Sequence, residues 1–109
     1  MIFLYDDVLC MQVSYGAFGD AGVCRADLLG SSTGIFVGLT VGEFSAIRTH
    51  SDAGVYTATG AHGAIASNRI SYTLGLEGPS ISVDTACSSS VVALNVACQT
   101  MRFKSCWYQ

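Results

Sequence analysis

The sequence predicts one small domain in which helices alternate with short strands. Two short apolar or β-branched runs, 33–39 and 80–84, have the length and composition of strands. Two other segments, 64–74 and 88–102, repeat their apolar residues at helical spacing. A chain of 109 residues has room for one hydrophobic core, so a single folding unit is expected.

The composition differs from that of a free-standing domain of this size. Hydrophobic residues make up 50% of the chain and charged residues 12%, whereas globular domains usually carry about 25% charged residues. Such an excess indicates faces that are covered by a membrane or by further protein. The longest fully apolar runs fall far below the ~20 residues of a spanning helix, so we expect no membrane span and favour cover by protein.

Charge and cysteine usage exclude several classes of function. A net charge of −3, with five basic residues spread along the chain, offers no patch for nucleic acid. The five cysteines form no C-x-x-C pair and the two histidines lie apart from them, which predicts neither a metal site nor a disulfide framework. The start contains Asp6 and Asp7 and no basic residue before Arg25, unlike a secretory signal. We expect a cytoplasmic chain with reduced thiols and no cofactor.

The first third of the chain predicts a weak helix followed by a buried strand. Residues 8–22 can form a short helix, which Gly16 and Gly19 weaken. The sequence GSS then predicts a turn. The run TGIFVGL, residues 33–39, has the short apolar character of a buried strand.

The middle of the chain predicts a loop, a helix and a second strand. Residues 48–63 are rich in glycine, serine and threonine without a sustained period, which is typical of a loop. Helical spacing returns in Ala64–Leu74, and Gly75 and Pro79 are expected to stop that helix. The β-branched run SISVD, residues 80–84, predicts the second strand.

The last predicted helix, residues 88–102, is apolar on nearly every side. One stripe at helical spacing comprises Val91, Leu94, Cys98 and Met101. Small apolar residues fill much of the remaining surface. Because a helix that is hydrophobic all round is usually a buried one, we expect this helix to lie in the interior.

Cys87 lies at the tight turn between the second strand and the last helix, in the arrangement of a nucleophile elbow. A helix N-terminus has unpaired N–H groups and a positive dipole end, both of which favour a thiolate. The same N–H groups can face the oxyanion that forms when a thioester carbonyl is attacked. The small neighbours would let a substrate approach, and one of the following serines could cap the helix. The alternative is a cysteine that serves as a small buried hydrophobe.

The amino-acid sequence around Cys87 resembles that of a known family. The string GPSISVDTACSSSVVALNVAC closely resembles the active-site segment of β-ketoacyl synthases, specifically those of type I polyketide synthases and related multidomain fatty acid synthases. The resemblance extends back through NRISYTLGLEGPS and STGIFVGLTVGEFSAI and covers about residues 17–102. The string DTACSSS argues against the stand-alone bacterial enzymes, the thiolases and the chalcone-type synthases.

This resemblance implies a thiolase-like α/β fold, of which the chain would be the partial, N-terminal portion. Cys87 aligns with the acyl-accepting nucleophile, and its backbone N–H would be one oxyanion donor. The family takes an acyl group from a carrier-protein thioester, decarboxylates a malonyl-type extender and forms a β-ketoacyl chain two carbons longer. The implied partners are an acyl carrier protein with phosphopantetheine thioesters and a second copy of the full-length protein.

The resemblance also implies residues that this sequence does not contain. The family uses two histidines, in segments resembling HGTGT and NHGGN, and a lysine, all after the cysteine helix, where this chain has Phe103 to Gln109. His50 and His62 precede Cys87 and match neither motif, so no catalytic role is assigned to them. We therefore expect residues 1–109 to be part of a ketosynthase domain, from a fragment or a truncated gene model. Alone, the chain should be inactive in condensation, and at most it should acylate Cys87. The alternative is a non-catalytic interaction module that associates with a synthase.

Four further polar residues, in and before the predicted site, are assigned no catalytic role. Asn68, Arg69 and Tyr72 match family positions, and we expect structural roles for them, because a helix beneath an active site needs satisfied polar groups. Asp84 could accept backbone hydrogen bonds at the turn or simply end the strand. Polyketide and fatty acid products are both compatible with the motif.

Overall fold

A computed structural model describes the backbone of residues 5–40 and 62–106 and the side chains of residues 8–40 and 62–103. In chain order the elements are α1 Tyr5–Asp20, α2 Arg25–Leu28, β1 Ile35–Gly38, α3 Ala64–Leu74, β2 Ser80–Val83 and α4 Ser89–Cys106. The prediction of helices alternating with short strands is confirmed.

Helix α3 has the bounds that the sequence predicts. Gly75 ends it in the left-handed conformation with φ of 67°, and its N–H donates to the carbonyls of Ser71 and Tyr72. Both strands lie within their predicted runs, and α1 begins three residues earlier than predicted. Helix α2 was not predicted, because a single turn offers no period to recognise. The predicted loop over 48–63 lies outside the described residues except for its last two positions.

The described strands form a parallel pair in which Ile35 lies opposite Ser80 and Gly38 opposite Val83. Helix α3 lies between the two strands in the chain, as a parallel connection requires. Because parallel strands end at the same edge of a sheet, the residues after β2 emerge beside the end of β1. Cys87 therefore lies at the carboxyl edge of this pair.

Helices pack on both faces of the strand pair. Ile35 of β1 joins the buried cluster that includes Ile70 of α3. Gly38, on the opposite face because side chains alternate along a strand, lies against the backbone of Ser89 in α4. The arrangement is a helix layer, a sheet and a second helix layer, which agrees with the predicted α/β class.

The hydrophobic core lies on the α3 side of the sheet. Its buried members are Leu28, Ile35, Ile70, Leu74 and Leu76. Helix α1 covers this cluster from outside through the partly buried Cys10, Met11 and Phe18. The core thus connects the first two helices, β1 and α3.

The prediction that α4 is a buried helix is wrong for this chain. Val91, Leu94 and Met101 of the predicted stripe are 69%, 65% and 66% exposed. Ala93, on the face toward the sheet, is 3% exposed. One face of α4 packs on the strands and the other faces solvent, so the apolar excess of the sequence lies partly on this helix. Among the described helices, none combines the length and hydropathy needed to cross a bilayer.

Candidate active site

Cys87 occupies the short turn between β2, which ends at Val83, and α4, which begins at Ser89. Residues 84–88 are termed the elbow below. The side chain of Cys87 is exposed, which excludes the alternative of a small buried hydrophobe in this chain. The carbonyl of Ser88 accepts the N–H of Val92 at 3.0 Å, the first hydrogen bond of helical spacing, so Cys87 directly precedes the helix N-terminus.

The residue before Cys87 has a strained backbone. Ala86 has φ of 55°, the one positive value at a non-glycine position in the described ranges 5–40 and 62–106. An L-residue in this left-handed region costs about 1–2 kcal/mol relative to the usual conformations. Such residues persist where their surroundings hold them, and they concentrate at functional sites.

Hydrogen bonds hold Ala86 on both sides. Its N–H donates to Oδ1 of Asp84 at 3.1 Å. Its carbonyl accepts the hydroxyl of Ser89 at 2.7 Å and the N–H of Ser89 at 3.1 Å. Of the two roles considered for Asp84, the geometry supports the one in which its carboxylate accepts a backbone donor of the elbow.

The serines after Cys87 bond back into the elbow. Ser89 is 4% exposed, and its Oγ accepts the N–H of Thr85 at 2.8 Å as well as donating to Ala86. Ser88 is exposed and donates to the carbonyl of Thr85 at 2.8 Å, with Oγ1 of the same residue 3.0 Å away. The sequence predicts that one of these serines caps the first N–H groups of the helix. Instead, both hydroxyls bond to the turn, whose own backbone groups need partners.

Gly38 allows β1 to support the elbow from below. A Cβ added to Gly38 would lie 2.5 Å from the carbonyl carbon of Ser89 and 2.5 Å from the nitrogen of Ser90. This approach of two backbones is possible because glycine has no side chain. Sequence reasoning missed this role, although a glycine at the end of an apolar strand run was the available signal.

The polar residues of α3 have different surroundings. Asn68 accepts the hydroxyl of Ser80 at 2.9 Å, which links α3 to β2 and supports the structural role expected for it. Arg69 is half-buried. Tyr72 is 89% exposed, so its side chain gives no support to the structural role expected for it, which stays a prediction.

The remaining candidates do not extend the site. His62 is exposed just before α3, and His50 lies outside the described residues. A pair that the sequence did not predict joins α3 to β2 behind the elbow: the hydroxyl of Ser82 donates to Oγ of Ser67 at 2.9 Å. Ser67 is 1% exposed, so this bond is shielded from water.

The family described as beta-ketoacyl synthase, N-terminal domain, matches residues 6–108. The chain belongs to the β-ketoacyl synthase family. The resemblance seen in the sequence around Cys87 is thereby confirmed, while the boundary of the family-like region at residues 17–102 remains a prediction.

The relatives of this β-ketoacyl synthase chain are much larger proteins, and the chain matches a small part of each. It is 45% identical over 96 residues to the pikromycin polyketide synthase component PikAII of Streptomyces venezuelae, covering 86% of this chain and 3% of that protein. It is 46% identical over 104 residues to the PKS-NRPS hybrid synthetase acdB of Aspergillus candidus, covering 90% of this chain and 4% of that protein.

A solved structure shows the same relationship. The ketosynthase from module 6 of the bacillaene synthase of Bacillus subtilis 168 is 34% identical, with a TM-score of 0.76 over 92% of this chain and 16% of that chain. The predicted thiolase-like fold is confirmed for this part of a ketosynthase. The chain corresponds to a ketosynthase-like region of polyketide synthases and spans a small share of each of these relatives.

Proposed function

We propose that this chain provides the acyl-accepting cysteine of a ketosynthase that extends acyl chains in polyketide biosynthesis. The observation that supports this most is the exposed Cys87, directly after the left-handed Ala86 and directly before α4. A strained residue next to an exposed thiol at a helix N-terminus is the arrangement expected of a nucleophile.

In the proposed acyl transfer, the thiolate sulfur of Cys87 attacks the carbonyl carbon of a carrier-protein thioester. A new C–S bond forms and the carbonyl electron pair moves to the oxygen. When the pair returns, the bond to the carrier sulfur breaks, and the carrier thiolate leaves and takes up a proton. The N-terminal end of α4 favours negative charge, first on the attacking sulfur and then on the oxygen.

The N–H of Cys87 is proposed as one donor to that oxygen. In the described part of the chain, the elbow's backbone bonds use the N–H groups of Thr85, Ala86, Ser88 and Ser89 as donors. The N–H of Cys87 donates to none of the described residues. Of the N–H groups from Thr85 to Ser89, it is thus the one that an oxyanion next to the sulfur could use without breaking one of these bonds.

Chain extension is proposed for the longer protein of which this chain would be part. There, loss of CO₂ from a malonyl-type extender would leave a carbanion that attacks the acyl carbon on Cys87. The C–S bond to Cys87 would break, the thiolate would be regenerated, and the β-ketoacyl product would be two carbons longer. We propose an acyl carrier protein and a second synthase copy as partners, and the cytoplasm as the location.

A second candidate function is a non-catalytic module that associates with a synthase. The exposed apolar side chains of α4 favour it, because Val91, Leu94, Met101 and Phe103 offer a contact surface without any chemistry. Under this hypothesis the thiol of Cys87 has no special reactivity. The two candidates therefore differ in what an acyl thioester does to the chain.

The test is intact-mass spectrometry of the 109-residue chain after exposure to a short acyl thioester of N-acetylcysteamine. We expect a single acyl adduct in the wild type and no adduct in Cys87→Ala. Cys24→Ala is the matched control, because Cys24 is also exposed but lies outside the elbow, and this variant should keep the adduct. An adduct that persists in Cys87→Ala would contradict the acyl-accepting role.

A further inference from the structure

The residue that follows the elbow carries a hydroxyl that the acyl-transfer chemistry does not use. Ser89 is the first residue of α4 and is 4% exposed. Its Oγ accepts the N–H of Thr85 at 2.8 Å and donates to the carbonyl of Ala86 at 2.7 Å. The Oγ of Ser89 thus bonds both to the backbone N–H of Thr85 and to the backbone carbonyl of Ala86.

These two bonds depend on the conformation of Ala86. With φ of 55°, Ala86 turns the chain so that its carbonyl points back toward the start of α4. Rotation of Ala86 to a common conformation would move that carbonyl away from Ser89 and would redirect the backbone into Cys87. Because Ser89 is buried, water competes little for either bond, and loss of the hydroxyl leaves the Thr85 N–H without this acceptor.

We propose that Ser89 is a positioning residue for Cys87. Its hydroxyl holds Ala86 in the left-handed conformation and thereby fixes the thiol against the N-terminus of α4. Ser89 touches no substrate, since its side chain is buried beneath the turn. This inference rests on the proposed function, in which Cys87 is the nucleophile.

Ser88 provides a matched comparison in the same turn. It is exposed, and its hydroxyl reaches the carbonyl and the hydroxyl of Thr85 but makes no hydrogen bond to Ala86. Ser88→Ala therefore removes a neighbouring hydroxyl without releasing the strained residue. If loss of any hydroxyl in the turn disturbed Cys87, both variants would be affected. The proposed positioning predicts an effect of Ser89→Ala and none of Ser88→Ala.

The experiment measures iodoacetamide labelling of the 109-residue chain by peptide mass spectrometry at one fixed pH. The rate at Cys87 is divided by the rate at Cys24 of the same molecule, which is exposed and outside the elbow. We expect a wild-type ratio well above one. Ser89→Ala should lower the ratio roughly three- to tenfold, since one or two hydrogen bonds are lost.

Two further variants separate positioning from simple loss of folding. Ser89→Thr keeps the hydroxyl and should restore most of the ratio. Ala86→Gly adopts positive φ without strain, so adding Ser89→Ala to it should lower the ratio less than twofold. A ratio equal in Ser89→Ala and Ser88→Ala, a full loss in the Ala86→Gly background, or a wild-type ratio near one would each overturn the inference.

Failure of the positioning role of Ser89 can be distinguished from failure of the proposed function of Cys87. If Cys87 shows the Ser89-dependent labelling but accepts no acyl group from a thioester, the positioning role stands and the acyl-accepting role fails. If wild type and Ser89→Ala are acylated at Cys87 at equal rates, the acyl-accepting role stands and the positioning role is overturned.

Discussion

Gly38, the last residue of β1, lies directly against the backbone of Ser89, the first residue of α4. The space between them is too small for a methyl group, because an added Cβ would lie 2.5 Å from the Ser89 carbonyl carbon. Strand β1 therefore supports the helix start on which Cys87 depends. The position of Cys87 thus depends on Gly38, a residue nearly fifty positions earlier in the chain. The site therefore requires the tertiary fold and not only the local sequence.

Gly38→Ala should displace the start of α4 and abolish preferential labelling of Cys87. Overpacking of this kind costs about 1–3 kcal/mol of unfolding free energy, measurable by urea denaturation. Gly19→Ala is the control, because a Cβ at Gly19 meets nothing within 4 Å and should stabilise α1 by about 0.5–1 kcal/mol. Equal stability of the two variants would contradict the close approach.

Substitutions at Ala86 should follow the strain of its backbone. Ala86→Gly removes the left-handed penalty and should keep or raise the melting temperature while preserving the reactivity of Cys87. Ala86→Val places a β-branched side chain at φ of 55° and should lower both. Thermal unfolding with cysteine labelling tests this, and a Val variant as stable as wild type would contradict the left-handed turn.

Asp84 should stabilise the elbow through the hydrogen bond that its Oδ1 accepts from the Ala86 N–H. Asp84→Asn keeps an Oδ1 for the Ala86 N–H, so the unfolding free energy of Asp84→Ala should lie about 0.5–1.5 kcal/mol below that of Asp84→Asn. Urea denaturation of the three chains gives the comparison. If Asp84→Asn is as destabilising as Asp84→Ala, the hydrogen-bond account is wrong.

The two helix layers should differ in their sensitivity to truncation. Ile70 is 2% exposed in the core, so Ile70→Ala should lower the unfolding free energy by about 2–5 kcal/mol. Leu94 on α4 is 65% exposed, so Leu94→Ala should change it by about 0.5 kcal/mol or less. A large loss from Leu94→Ala would mean that the α4 stripe is covered in solution.

Local signals explain which parts of the fold could be predicted. The bounds of α3 followed from its period and from Gly75, whose left-handed φ ends the helix. The position of Cys87 between a strand and a helix followed from the change of period alone. The exposure of α4 could not be predicted from the sequence. An apolar helix surface has the same residue pattern whether it is covered by the same chain or by another one.

The geometry of the elbow lay beyond sequence reasoning for a different reason. Alanine has no preference for positive φ, so no sequence signal indicates that the backbone of Ala86 is strained. Its conformation results from hydrogen bonds to Asp84 and Ser89, whose side chains can bond in several ways. Gly38 was visible in the sequence, but the residue that it approaches was not, since this contact depends on tertiary packing.

The acyl-accepting role of Cys87 is tested most directly by peptide-level mass spectrometry of one sample of the chain exposed briefly to an acyl thioester. Acyl occupancy is measured at all five cysteines at once, so each molecule contains its own controls. The account predicts acylation at Cys87 well before Cys24, which is also exposed to solvent. Equal occupancy at the two, or faster acylation at Cys24, would contradict it.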